Sequence, residues 1–116
     1  MARYTTIDFD WEEKTDYEKL LFILRLQHIC RETECHIYRT HKGYHVYIRI
    51  DNYDFWKAIA LRTYLLDDDA RIWFDIMRHS MGMDSWTETL FMGKKDYHYE
   101  YREERISLDG LVKKTI

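Results

Sequence analysis

The sequence predicts an α+β fold: a sheet in the order β-α-β-β-α-β with both helices on one face, and a C-terminal strand or ribbon beyond it. Three observations carry this expectation. Residues 3–10 and 35–50 alternate apolar with polar side chains, and residues 15–31 carry a capped helical pattern. The chain has 116 residues, 46% hydrophobic and 34% charged, which suits a single domain over 1–116 with one core.

In Arg3–Asp10, Ile7 and Phe9 point one way and Thr6, Asp8 and Asp10 the other, so this strand carries two acids on one face. Thr15 with Glu18 three residues on makes a capping box. Tyr17, Leu20, Leu21, Leu24 and His28 follow at helical spacing and mark the amphipathic stripe. Cys35–Thr40 and Tyr44–Ile50 read as an antiparallel hairpin around His41-Lys42-Gly43, whose glycine permits a tight connection. In its second strand Tyr44, Val46, Ile48 and Ile50 share one face, and His45, Tyr47 and Arg49 the other. A second helix carries Phe55, Trp56, Ile59 and Leu65 up to Asp67-Asp68-Asp69, read as a solvated turn or cap.

Arg71–Arg78 admits two readings. Alternation of Ile72, Phe74 and Ile76 with Arg71, Trp73 and Asp75 favours a strand, whereas on a helix Arg71, Asp75 and Arg78 would form an ion-pair ladder. Trp86–Met92 reads as a further strand, and Asp96–Leu108 as a last strand or ribbon with Tyr97, Tyr99 and Tyr101 on one face. The strand reading of 71–78 completes the RRM/ferredoxin-like plan, in which the first strand lies between the third and fourth.

Composition narrows the function classes. No run reaches the roughly 18 apolar residues a membrane span needs, and the N-terminus lacks a signal-like apolar stretch, so a cytoplasmic protein with no membrane partner is expected. Cys30 and Cys35 lack a second Cys/His pair at zinc spacing and read as core thiols. The net charge of −3 argues against a wholly phosphate-binding surface but allows a local basic patch.

On the expected open face, Asp8 and Asp10 have bases roughly 7 Å apart, close enough to converge on a divalent cation. Their hard oxygen ligands suit Mg²⁺ or Mn²⁺, and Asp75 on a neighbouring strand would be a third acid. Arg39, Thr40, His41, Lys42, Gly43 and His45 surround one turn with donors, a setting in which a phosphate can be held and the glycine lets it approach the backbone. Tyr47 and Arg49 supply a stacking ring and a phosphate-binding charge for nucleic acid.

Ile7-Asp8-Phe9-Asp10 followed by a helix, and then Thr40-His41-Lys42-Gly43-Tyr44-His45-Val46-Tyr47-Ile48, resembles the archaeo-eukaryotic primase (primase-polymerase) superfamily. Those proteins show an acidic strand, then a Ser-x-Lys/Arg-Gly-x-His strand, then a third acid in an apolar strand. Thr40 stands where the family's serine is expected, and Arg71-Ile72-Trp73-Phe74-Asp75-Ile76 is similar to the surroundings of the third acid. The resemblance covers roughly residues 5–78 and implies metal-dependent nucleotidyl transfer. By it, Asp8, Asp10 and Asp75 would be the catalytic metal-binding acids, and Lys42 and His45 would contact the triphosphate of an incoming nucleotide.

Two other readings stand beside this one. A non-catalytic RRM-like module would use the open face to bind nucleic acid, with Tyr47 stacking bases and Arg49 or Lys42 on phosphate. An interaction protein would use the Tyr-rich last strand as an edge for homodimerisation, and a partner subunit could complete a minimal polymerase site.

Overall fold

The computed structural model describes residues 2–88, 93–95, 100–102 and 104–115. Its strands are β1 (Arg3–Phe9), β2 (Cys35–Arg39), β3 (Tyr44–Ile50), β4 (Gly93–Lys95), β5 (Glu100–Arg102) and β6 (Glu104–Ile106). The helices are α1 (Asp16–Glu32), α2 (Phe55–Tyr64), α3 (Asp69–Ser80) and α4 (Leu108–Thr115). Short 3₁₀ turns occupy Trp11–Glu13 and Asp84–Trp86. Among the described residues no helix is long and apolar enough to cross a membrane.

Alternation in β1 decides which side of the sheet is covered. Thr5, Ile7 and Phe9 are buried, and the antiparallel register sets them opposite Ile48, Val46 and Tyr44 of β3. Ile37 of β2 continues the row beyond Val46. Phe22, Ile23 and Leu26 of α1, Leu65 after α2 and Leu111 of α4 close over this face into one core. Phe9 and Phe22 stack with ring centroids 3.9 Å apart. Each such side chain contributes about 1.5–3 kcal/mol by leaving water.

The start of α1 is as the sequence predicts. Thr15 Oγ1 accepts from Glu18 N at 3.1 Å while Thr15 N donates to Glu18 Oε1 at 3.0 Å. Its buried face is not. Tyr17 and Leu24 are 70% and 51% exposed, and Phe22, Ile23 and Leu26 face the sheet instead. The run Leu20–Leu26 is apolar almost all round, so periodicity does not choose the phase and the shape of the sheet does.

The four-stranded sheet is antiparallel in the order β1-β3-β2-β6, and β4 pairs with β5 as a separate two-stranded ribbon. The expected βαββαβ order therefore does not emerge. Residues 71–78 lie inside α3, whose N-terminus is capped by Asp68 accepting from Arg71 N at 3.0 Å. Ile72 and Ile76, which alternate as in a strand, are also four apart as on a helix face, and Phe74 between them is exposed.

Where a fourth strand would lie, polar groups satisfy the outer edge of β1. Thr6 N donates to Glu88 Oε1 at 2.9 Å, and Arg71 Nη1 donates to Thr6 O at 3.0 Å. Asp8 N donates to Asp67 Oδ1 at 2.7 Å, and Asp68 N to Asp8 O at 3.2 Å. These four bonds stand in for a strand ladder.

The expected strand at Trp86–Met92 begins instead as a 3₁₀ turn followed by Thr87 and Glu88, and its remainder lies outside the described residues. The Asp96–Leu108 ribbon divides into β5 and β6, and α4 starts at Leu108. Of the three tyrosines expected to form a dimer edge, Tyr97 and Tyr99 lie outside the described residues; Tyr101 sits in β5 opposite Lys94.

Candidate nucleic-acid interface

The face of the sheet turned away from the core carries Tyr4, Thr6 and Asp8 from β1. Opposite them in register stand Arg49, Tyr47 and His45 of β3. Beyond β3 the same face continues with His36 and Tyr38 of β2, and then Arg105 of β6 opposite Tyr38. Strand alternation thus delivers three tyrosines, two histidines and two arginines to one surface.

Tyr4, His36, Tyr38, Tyr47 and Arg105 line an open groove of about 470 Å³. Tyr38 and Tyr47 meet edge to face at 5.6 Å, and Tyr4 tilts over His36 at 5.6 Å. Glu34 at the rim accepts from Tyr4 Oη and lies 3.2 Å from His36 Nε2. Arg105 Nη2, which can only donate, lies 2.5 Å from His36 Nδ1. Each ring of the groove thus meets a neighbouring side chain.

At the far end of this face, His45 Nε2 lies 3.4 Å from Asp8 Oδ1; the histidine side chain is 10% exposed and the aspartate side chain 38%. Asp10 follows the end of β1 in extended conformation, and its Oδ1 is buried with no hydrogen-bond partner among the described residues. Asp8 and His45 therefore meet as the sequence predicts, with Asp10 next along the chain.

Asp75 does not join them. It is 1% exposed on α3, with Oδ2 2.8 Å from Arg62 Nη1 and accepting from Glu88 N at 2.9 Å, and with Oδ1 accepting from Arg78 Nη1 at 3.2 Å. The strand assignment had put it on the open face; the helix turns it into a buried ion cluster.

Arg62, 0% exposed, stands at the centre of that cluster. Its Nε donates to Asp67 Oδ2 at 2.6 Å, and Arg71 Nη1 reaches the same carboxylate at 2.8 Å. Arg62 Nη2 has no partner among the described residues. Burial lowers a guanidinium's pKa, but Asp67, Glu88 and Asp75 outweigh it and hold Arg62 above its ordinary value. Burial also pushes the Asp67 carboxyl up, against the pull of Arg71 and Arg62. Asp67 is thus no solvated turn residue; only Asp68 caps the helix.

Glu88 completes the cluster in a left-handed backbone conformation with φ 58°. Thr5 Oγ1, Thr6 N and Tyr53 Oη all donate to its carboxylate, and these bonds hold a geometry that costs about 1–3 kcal/mol in isolation. Sequence reading did not find Arg62, Glu88 or Tyr53. The alternating signs of Arg62, Asp67, Arg71, Asp75 and Arg78 at near-helical spacing were the available signal.

The hairpin turn differs from a phosphate cradle. Gly43 N donates to Thr40 Oγ1 at 3.0 Å, and Thr40 N to Gly43 O at 2.8 Å, so hydroxyl and glycine amide close the turn on each other. A Cβ on Gly43 would lie 2.0 Å from Phe9 O and 2.6 Å from Trp11 N. The glycine is needed because two stretches of backbone cross there, not because an anion approaches. Arg39 is ion-paired with Glu104, and Arg49 Nε donates to Asp51 Oδ1 at 3.1 Å. Lys42 is exposed at the tip, and its carbonyl accepts from Glu12 N at 3.3 Å.

Compared with known proteins, the chain matches no family model, no curated protein and no solved structure at a significant level.

Proposed function

We propose that this domain binds single-stranded nucleic acid on its open sheet face. Bases stack on Tyr4, Tyr38 and Tyr47, while Arg49, Arg105 and Lys42 neutralise phosphates along the strand. The observation that carries the reading is the groove lined by three tyrosines, a histidine and an arginine on the side opposite the core. Stacking is worth about 1–3 kcal/mol per base and tolerates any sequence, so an acidic protein can bind through it with few phosphate contacts. With only a few phosphates neutralised, the affinity falls with added salt by a shallow slope, roughly 0.7 per phosphate neutralised on a single strand. Anisotropy titration of labelled single-stranded DNA and RNA at several salt concentrations tests this. Binding that is absent at low salt, or stronger for duplex than for single strands, contradicts it.

A second reading rests on a separate observation, the meeting of Asp8 with His45 next to Asp10, whose Oδ1 has no partner among the described residues. Together with the resemblance to primase-polymerases, it supports a nucleotide site in which Asp8 and Asp10 hold Mg²⁺ or Mn²⁺. Two carboxylates plus substrate phosphates are a sufficient set for such an ion. The ion would supply charge neutralisation at the phosphates. Lys42 and His45 would then orient the triphosphate, while Arg39 and Thr40, engaged by Glu104 and Gly43, would serve the turn. Mn²⁺ titration with and without a nucleoside triphosphate tests this reading; a melting temperature unmoved by either ligand contradicts it.

A further inference from the structure

The two cysteines are brought together by the connection between α1 and β2. Cys30 lies in the last turns of α1 and Cys35 opens β2, and both are partly buried against the core as free thiols. Thr33 caps the helix between them and donates through Oγ1 to Arg49 O at 2.8 Å, while Arg49 N donates to Glu34 O at 3.0 Å. The link is thereby tied to β3, and both cysteines line one open groove of about 630 Å³ with Ile37, Arg105 and Leu108.

The two thiols are not equivalent. Cys35 donates to Cys30, which holds the Cys30 thiol below its ordinary pKa against the effect of burial. Cys35 is pushed up by that same hydrogen bond, then by burial and by the charges of Cys30 and Glu34. Thr33 O, 3.7 Å from Cys35 Sγ, is the alternative acceptor for its one proton. The two shifts run in opposite directions, as for an attacking and a resolving thiol that share one groove.

We infer that Cys30 and Cys35 form a reversible dithiol–disulfide pair that exchanges with low-molecular-weight disulfides entering the groove. Cys30 thiolate attacks one sulfur of the small disulfide; that S–S bond breaks and its other half leaves as a thiolate that takes a proton. Capping Cys30 removes the hydrogen bond and charge that held the Cys35 proton. Cys35 then loses its proton and attacks Cys30 Sγ, forming the internal disulfide and expelling the second small thiol. Two protein thiols are oxidised by two electrons and one small disulfide is reduced to two thiols. The new bond would tie α1 to β2 across Glu34, the residue that holds Tyr4 and His36.

The test is incubation of the full chain with excess oxidised glutathione, acid quench and intact mass. The inference expects a loss of about 2 Da, loss of both maleimide-reactive thiols, and full reversal by dithiothreitol. Cys35→Ser should accumulate a glutathione adduct on Cys30, and Cys30→Ser should react about tenfold more slowly or less. Two thiols left reactive in the wild type, a stable adduct in place of the internal bond, or equal rates in the two variants would overturn it.

Discussion

The edge cluster around Arg62 and the open face around Asp8 use the same residue types in opposite conditions. In the cluster each carboxylate of Asp67 and Asp75 meets two arginines, and Arg62, Asp67 and Asp75 are removed from water. On the open face Asp8 meets one histidine and stays partly in water, and Asp10, just beyond the end of β1, has a buried oxygen with no partner among the described residues. Charge paired in this way fixes a scaffold, because each carboxylate already holds its two cations. Unsaturated charge of the second kind is what a ligand can use. The difference places Asp75 in the architecture, and keeps Asp8, Asp10 and the tyrosines for the proposed site.

The sharpest way to break this contrast is Arg62→Met, which leaves Asp67, Asp75 and Glu88 buried without their central cation. Loss of one partner of a buried ion cluster costs about 3–5 kcal/mol, so urea unfolding should shift by that amount, whereas a loss below about 1 kcal/mol would mean that the cluster does not hold the fold. Gly43→Ala comes next. Its Cβ meets backbone rather than a flexible side chain, and overpacking of this kind costs about 1–3 kcal/mol in the same assay. An unchanged midpoint would show that the hairpin and the 9–11 segment move apart freely.

Asp8→Asn and Asp10→Asn sharpen the other side of the comparison. Each should leave the unfolding midpoint within about 1 kcal/mol of wild type and remove Mn²⁺ binding by calorimetry. Equal Mn²⁺ affinity in all three proteins would end the metal reading and leave stacking alone. The smallest effect is on the alkaline side. Burial, and then the hydrogen bond to Glu88, raise the Tyr53 phenol above its ordinary value. A group raised in the folded state contributes stability that is complete below its unfolded pKa, about 10 for tyrosine, and is lost as pH rises through the folded value. Melting temperature should therefore fall from about pH 10 upward, and Tyr53→Phe should flatten part of that fall. A variant with the wild-type slope would show that Tyr53 does not carry it.

Much of the β1-α1-β2-β3 half was legible because its signals are local. Alternation places Ile7, Phe9, Val46 and Ile48 inward and Asp8, His45 and Tyr47 outward without any long-range information. The capping box at Thr15 is equally local. The second half failed where two periods coincide: Ile72 and Ile76 satisfy both a strand and a helix, and only the Asp68 cap and the sign pattern from Arg62 to Arg78 choose between them. The inner face of α1 was illegible for a related reason, since an all-round apolar run has no preferred phase. In the site, the Asp8–His45 meeting followed from alternation. The role of Gly43 did not, because the strand end it crosses is about 30 residues away in sequence, beyond any local signal. The tyrosine groove needed the pairing of β2 with β3 to bring Tyr38 beside Tyr47, and Arg105 arrives only with β6.

The open face is proposed as a stacking surface for single strands. The direct measurement is the affinity of a labelled single-stranded oligonucleotide for wild type and for Tyr38→Ala/Tyr47→Ala, read by anisotropy with a melting curve on each protein. Loss of two stacking rings should weaken binding by at least about tenfold while the melting temperature moves little, because both rings lie outside the core. Equal affinity in the two proteins would contradict the account.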